Sequence, residues 1–238
     1  MNMTAERIFC AVDTADLDAA LSLAELLNGE IGGLKLGKEF FTAHGPDGVV
    51  RMAATGHRIF LDLKFHDIPN TVAGAVRAAA RLGVHMLTIH ASGGAAMIRA
   101  AAEAAWEAAR EENPTPPLIL AVTVLTSLDQ DDLAAIGQTG PVTEQVSRLA
   151  ALAKSAGADG VVCSPLEIAA LKPALGPDFA LVVPGVRPGW AASDDQKRIM
   201  TPGDAVAAGA DFLVIGRPIT RADDPVSAAR RIADELSG

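Results

Sequence analysis

Eight short apolar runs, each followed by helix-like sequence, recur from one end of the chain to the other. They are RIFCAVD (7–13), GGLKLG (32–37), RIFLDLK (58–64), HMLTIHA (85–91), LILAVTVL (118–125), GVVCS (160–164), FALVVPG (179–185) and DFLVIGR (211–217). Most are apolar on both faces, as parallel strands covered by helices must be. Between the first two, DLDAALSLAELLNG sets Leu17, Leu21, Ala24 and Leu27 on one helical face, and later GGAAMIRAAAEAAWEAAREE is rich in alanine, a strong helix former. Three helix exits, RLGVHML, SAGADGVV and AAGADFLV, place a glycine suited to the left-handed end of a helix just before the next strand. No linker, low-complexity tract or charge block divides the 238 residues, and ENPTPP (112–117) reads as a turn. The pattern predicts one catalytic domain over residues 1–238, of the α/β class: a single TIM (β/α)8 barrel. An open doubly wound sheet would carry a glycine-rich fingerprint after its first strand, where AVDTADLD has none.

Half of the residues are hydrophobic, enough for a large core, and the formal net charge of −9 argues against a nucleic-acid-binding surface. Cys10 and Cys163 fall in separate apolar runs with no C-x-x-C spacing, and read as small core residues. The opening MNMTAERIFC lacks the apolar stretch of a signal peptide, and no uncharged run reaches the length of a membrane span. These features predict a cytoplasmic protein that binds neither membrane nor nucleic acid.

The third predicted strand is the informative one. In RIFLDLKFHDIPNTV (58–72), Asp62 and Lys64 interrupt an otherwise apolar run, and Asp67 follows three residues on. Side chains alternate along a strand, so Asp62 and Lys64 share a face with Phe60, while Ile59, Leu61 and Leu63 share the other. The outer layer of a barrel is apolar, so the charged pair is expected to point inward near the C-terminal mouth. Lys35 in GLKLG follows the same logic one strand earlier, and Asp13 ends the first strand. Four charged groups should therefore converge where barrel enzymes keep their chemistry. An ion-pair cluster closing the barrel is the alternative, but buried ion pairs contribute little net stability and are expensive to desolvate. Two lysines with two or three carboxylates favour function.

A second constellation lies near the end of the chain. VVPGVRPGW puts Arg187 just after the seventh strand, and LVIGRPIT puts Gly216 and Arg217 at the end of the eighth, with Pro218 suited to a first helical turn. Loops after strands seven and eight are the usual phosphate site of this fold, and arginine adds bidentate contacts to phosphate oxygens. A rim-capping role is the alternative, more for Arg187 than for Arg217. Among the remaining conspicuous residues, His44, His57 and His85 read as surface or packing residues. His66 shows no evident partner, and His90 ends the fourth strand at the mouth. Trp106 reads as helix packing, and Trp190 lies in a polar, Gly/Pro-containing segment that reads as a mobile lid.

These residues together resemble the orotidine 5′-phosphate decarboxylase family. FLDLKFHDIPNTV matches that family's D-x-K-x-x-D-I-x-x-T signature, and LKLGKEFF, VTVLTS, PGVRP, DQKRIMTP and GADFLVIGRPIT match its other blocks in order, from Asp13 to about Thr220. The resemblance implies cofactor-free decarboxylation of orotidine 5′-monophosphate to uridine 5′-monophosphate, without a metal. It implies Lys64 as the proton donor to C6 of the pyrimidine, with Lys35, Asp62 and Asp67 completing an alternating charge array. It further implies ribose contacts from Asp13 and Lys35, and a pyrimidine contact from Thr126. Arg187, Gln196, Gly216 and Arg217 would bind the phosphate and shape the lid. In a homodimer, Asp67 and Thr71 would serve the neighbouring site. Two rivals remain. A metal-dependent sugar-phosphate decarboxylase or aldolase of the related barrels would want an acid near the end of the second strand, where this chain has Lys35, a poor neighbour for Mg²⁺. A non-catalytic phosphate-binding barrel would have no reason to keep Lys64 beside two carboxylates.

Overall fold

In the computed structural model, which describes residues 4–112, 115–191 and 200–236, eight parallel strands close into a barrel in sequence order, β1 pairing with both β2 and β8. The strands are β1 (Ile8–Val12), β2 (Gly33–Gly37), β3 (Arg58–Phe65), β4 (Met86–His90), β5 (Leu118–Val122), β6 (Gly160–Val162), β7 (Ala180–Pro184) and β8 (Phe212–Ile215). The helices are α1 (Leu17–Leu26), α2 (Lys38–Ala53), α3 (Pro69–Ala80), α4 (Gly94–Glu112), α5 (Gln130–Ala135), α6 (Val142–Ser155), α7 (Ile168–Leu175), α8 (Pro202–Ala208), α9 (Arg217–Thr220) and α10 (Pro225–Glu235). The expected TIM barrel is the fold found. Among the described residues, no helix is long and apolar enough to cross a membrane.

Strand alternation sorts the core into two bodies. Ile8, Cys10, Leu34, Leu36, Ile59, Leu61, Leu87 and Ile89 belong to the large layer shared with the helices. Their neighbours along the strands, Phe9, Phe60, Met86, Leu120 and Val182, form a separate interior cluster. Phe9 meets Phe60 and Phe212 edge to face at centroid distances of 6.2 and 5.7 Å, a favoured geometry for aromatic pairs. Gly33 makes room for this plug, since a Cβ there would lie 2.5 Å from the Phe9 ring and 2.4 Å from the Arg58 carbonyl oxygen. The lower barrel is thus packed solid, and the open space lies above Phe60, at the C-terminal ends of the strands.

The three repeated helix exits work as the sequence suggests. Gly83, Gly157 and Gly209 all adopt positive φ, which a glycine tolerates without steric penalty. The aspartates that follow two of them then fasten adjacent strands. Asp159 Oδ2 accepts from the Ile119 N–H at 2.8 Å, and Asp211 Oδ2 accepts from the Leu181 N–H at 2.8 Å. In the third exit, His85 takes the equivalent place through its backbone, donating to the Ile59 carbonyl at 2.7 Å.

Both cysteines are buried and free, as expected. Burial pushes the Cys10 thiol up to about 12 and raises that of Cys163 as well, so neither is a reactive thiolate near neutral pH. Trp106 departs from the expectation: it is 57% exposed on α4. The buried face of that helix opens with Met97 and Ile98 and continues through Ala101, Ala104, Ala105 and Ala108, and Trp106 projects away from it.

Candidate active site

The mouth of the barrel holds a cavity of about 340 Å³, within the size range of small-ligand sites. Asp13, Lys35, Asp62 and Lys64 line it from β1 to β3, and Arg187, Gly216 and Arg217 line it from beyond β7 and β8. Thr126 stands at the exposed rim after β5. Val122, Val124, Val162, Pro184 and Val186 make the wall partly apolar. The sequence offered a signal for part of this wall: LILAVTVL continues apolar beyond the hydrogen-bonded end of β5 at Val122.

The four charged groups form two ion pairs. Lys35 Nζ donates to Asp13 Oδ1 at 2.6 Å, with the lysine side chain 10% exposed and the aspartate 55%. Gly37 keeps this pair accessible, because a Cβ there would sit 3.1 Å from Asp13 Oδ1 and 3.3 Å from Lys35 Nζ. Lys64 Nζ contacts both Asp62 oxygens, at 2.8 and 2.7 Å.

Alternation correctly sent Asp62 and Lys64 to the same side, but by an irregular route. The β3–β4 ladder pairs Leu61 with Leu87 and then jumps to Phe65 opposite Ile89. Asp62, Leu63 and Lys64 therefore stand against one residue of β4, Thr88. Lys64 sits at φ +54°, and among the described residues no other non-glycine has positive φ. A lysine there is strained by about 1–3 kcal/mol, and such strain concentrates at functional sites. Thr88, fully buried, touches both partners: its Oγ1 accepts from the Lys64 N–H at 2.9 Å and donates to Asp62 Oδ1 at 2.8 Å. Thr88 went unnoticed in the sequence, although alternation from Met86 to His90 puts it on the barrel's inner face.

Asp67 and Thr71 do not reach this cavity. Both are exposed, past the end of β3 and in the first turn of α3, and Asp67 Oδ1 accepts from the N–H of its neighbour Ile68 at 2.6 Å. Arg187 is only 5% exposed and is among the residues that line the cavity. Gly216 precedes the one-turn helix α9, with Pro218 in its first turn. Gln196 lies outside the described residues, as does the rest of 192–199 within the segment read as a lid. Just before it, Trp190 lies beneath the Arg231 guanidinium of α10, 4.1 Å from ring centroid to Cζ. Among the described residues, no three His, Cys, Asp or Glu side chains cluster as a metal site would require.

His90 is half-buried at the end of β4, its ring 5.3 Å from that of His66, and it does not line the cavity. Burial first, then the charges of His66, Lys38 and Lys64, push its pKa down from 6.5 to about 4, with Asp62 opposing. The imidazole stays neutral in the fold.

The fold and the site together define a (β/α)8-barrel enzyme whose cavity is lined by a lysine–carboxylate centre and by two arginines. Residues 6–232 match the orotidine 5′-phosphate decarboxylase / HUMPS family, and the chain belongs to it. The orotidine 5′-phosphate decarboxylase of Paramagnetospirillum magneticum is 55% identical over 229 residues, covering 96% of this chain and 97% of that protein. That of Moorella thermoacetica is 54% identical over 232 residues, covering 97% and 92%. The crystal structure of orotidine 5′-phosphate decarboxylase from Lactobacillus acidophilus superposes with a TM-score of 0.84 at 38% identity, covering 97% of this chain and 99% of that one.

The neutral state of His90 has a measurable consequence. Unfolded chains take up this proton near pH 6.5 and the folded one only near pH 4, so falling pH across that window favours unfolding. His90→Gln should lose less Tm than the unmodified protein between pH 6.5 and 4. Equal losses in thermal melts would show that His90 does not carry this dependence.

Proposed function

We propose that this protein decarboxylates orotidine 5′-monophosphate to uridine 5′-monophosphate, using its own side chains without a cofactor. The observation that carries the reading is that the Lys64–Asp62 pair lines the same cavity as Arg187 and Arg217. A nucleotide bound there would have its phosphate at the arginines and its pyrimidine over the lysine. The relatives' shared name supports the same substrate.

The chemistry follows from the charges. Breaking the bond from C6 to the carboxylate releases carbon dioxide and leaves an electron pair at C6, in an orbital of the ring plane that the π-system cannot delocalise. With no electron sink, stabilisation must be electrostatic and preorganised. The Lys64 ammonium supplies it and then gives its proton to C6, regaining one from solvent after turnover. The Asp62 carboxylate, 2.7 Å away, pairs with that ammonium. Lys35 and Asp13 hold the ribose hydroxyls, Thr126 meets the pyrimidine edge, and Gln196, Arg187, Gly216 and Arg217 hold the phosphate. Binding energy from the remote phosphate thereby helps organise the reacting centre.

Asp67 and Thr71 act across a homodimer. Their exposure beyond β3, alongside an Ile68 that is 66% exposed, supports contact with a second copy, and Asp67 then completes the charge array around the partner's lysine. The reading carries a cytoplasmic location with it, since the substrate is a nucleotide.

Carbon dioxide release from orotidine 5′-monophosphate, with and without a strong chelator, separates this reading from the metal-dependent sugar-phosphate chemistry of related barrels. Undiminished turnover in chelator is expected; activity that vanishes and returns with Mg²⁺ would reverse it.

The shared site has its own test. Lys64→Ala and Asp67→Ala proteins, each inactive alone, are unfolded and refolded together. With random pairing about half the dimers are mixed, and in each one site collects both lesions while the other has none. About a quarter of all sites should recover activity. No recovery, with subunit exchange confirmed, would place Asp67 in the service of its own chain.

A further inference from the structure

We infer that Thr88 is the positioning residue of the proposed centre: its hydroxyl sets both the backbone of Lys64 and the carboxylate of Asp62. The inference rests on the function proposed above, and on geometry that stands apart from it.

The polarity of the contact is fixed by chemistry. A backbone N–H can only donate, so at 2.9 Å the Thr88 oxygen must accept from Lys64. The hydroxyl hydrogen is then free to point elsewhere, and Asp62 Oδ1, an acceptor when ionised, lies 2.8 Å away. One hydroxyl therefore ties together the two residues whose side chains form the ion pair at 2.7 Å.

Its place in the ladder explains why such a tie is needed. Three residues of β3 oppose Thr88 alone, so the Lys64 N–H finds its partner in a side chain rather than in the β4 backbone. That contact holds lysine at φ +54°, a region a non-glycine residue keeps only when its surroundings over-determine it. Thr88 is fully buried and does not line the cavity. It therefore acts through Lys64 and Asp62, not on substrate.

Thr88→Val keeps the shape and removes both hydrogen bonds, while Thr88→Ser restores them without the methyl group. For Thr88→Val, kcat should fall on the order of 100-fold, the scale of an ångström-size misplacement of a reacting group. Binding of uridine 5′-monophosphate should hold, because the arginines are untouched. Thr88→Ser should keep most of the rate. Crystal structures should show Lys64 leaving positive φ, or its Nζ leaving Asp62, in the valine variant alone. If Thr88→Val does not fold, Thr88→Ala is read the same way. A valine variant with full kcat, a serine variant as slow as valine, or a slow variant with unmoved Lys64 and Asp62 would each overturn the inference. Were the unmodified protein to release no carbon dioxide, the functional reading would fall instead. The two structures would still decide whether Thr88 holds the pair.

Discussion

An ammonium and a carboxylate held 2.7 Å apart at the mouth of an apolar barrel form the interaction on which the rest of the site depends. Removing two such charges from water is unfavourable, and their mutual attraction recovers that only with good geometry and further hydrogen bonds. The chain meets the requirement locally. Lys64 takes a left-handed backbone so that its side chain can fold back onto Asp62, two residues earlier, and Thr88 satisfies what that conformation leaves open. The barrel below is filled by Phe9, Phe60 and Phe212, which gives the pair a rigid apolar floor. Strain at one residue is tolerable because everything beneath it is packed.

Lys35, Asp13, Asp62 and Lys64 concentrate charge where bonds would change in the proposed reaction, whereas Arg187, Arg217 and Gly216 line the part of the cavity proposed to take the phosphate. In that reaction the arginines grip a group that does not react, and the grip serves to place the ring over Lys64. The 5% exposure of Arg187 fits that proposal, since a buried guanidinium has less freedom to lose on gripping an anion than one at the rim.

Much of this was legible in the sequence, for identifiable reasons. Eight two-face apolar runs separated by helical sequence admit few architectures, and a charged pair within a strand has only the barrel interior to face. The glycine exits and the G-R-P turn after β8 were equally readable. Other features were hidden. The positive φ of Lys64 and the three-against-one ladder opposite Thr88 depend on the partner strand, so strict alternation found the right side by the wrong path. Trp106 was misplaced because an alanine-rich helix does not announce its buried face: alanine packs inside and tolerates water. Asp67 and Thr71 were assigned through family resemblance, and one chain by itself leaves them facing outward.

Lys64→Ala, assayed for decarboxylation and for binding of uridine 5′-monophosphate on the same preparation, tests the role of the ammonium most directly. An interaction made mainly at the developing carbanion falls on kcat and leaves product binding intact. Loss of the proton donor should lower kcat by at least about 10²–10⁴-fold, with the product dissociation constant nearly unchanged. Turnover close to that of the unmodified enzyme, or a loss of product affinity matching the loss of rate, would contradict the assignment of Lys64 as the proton donor.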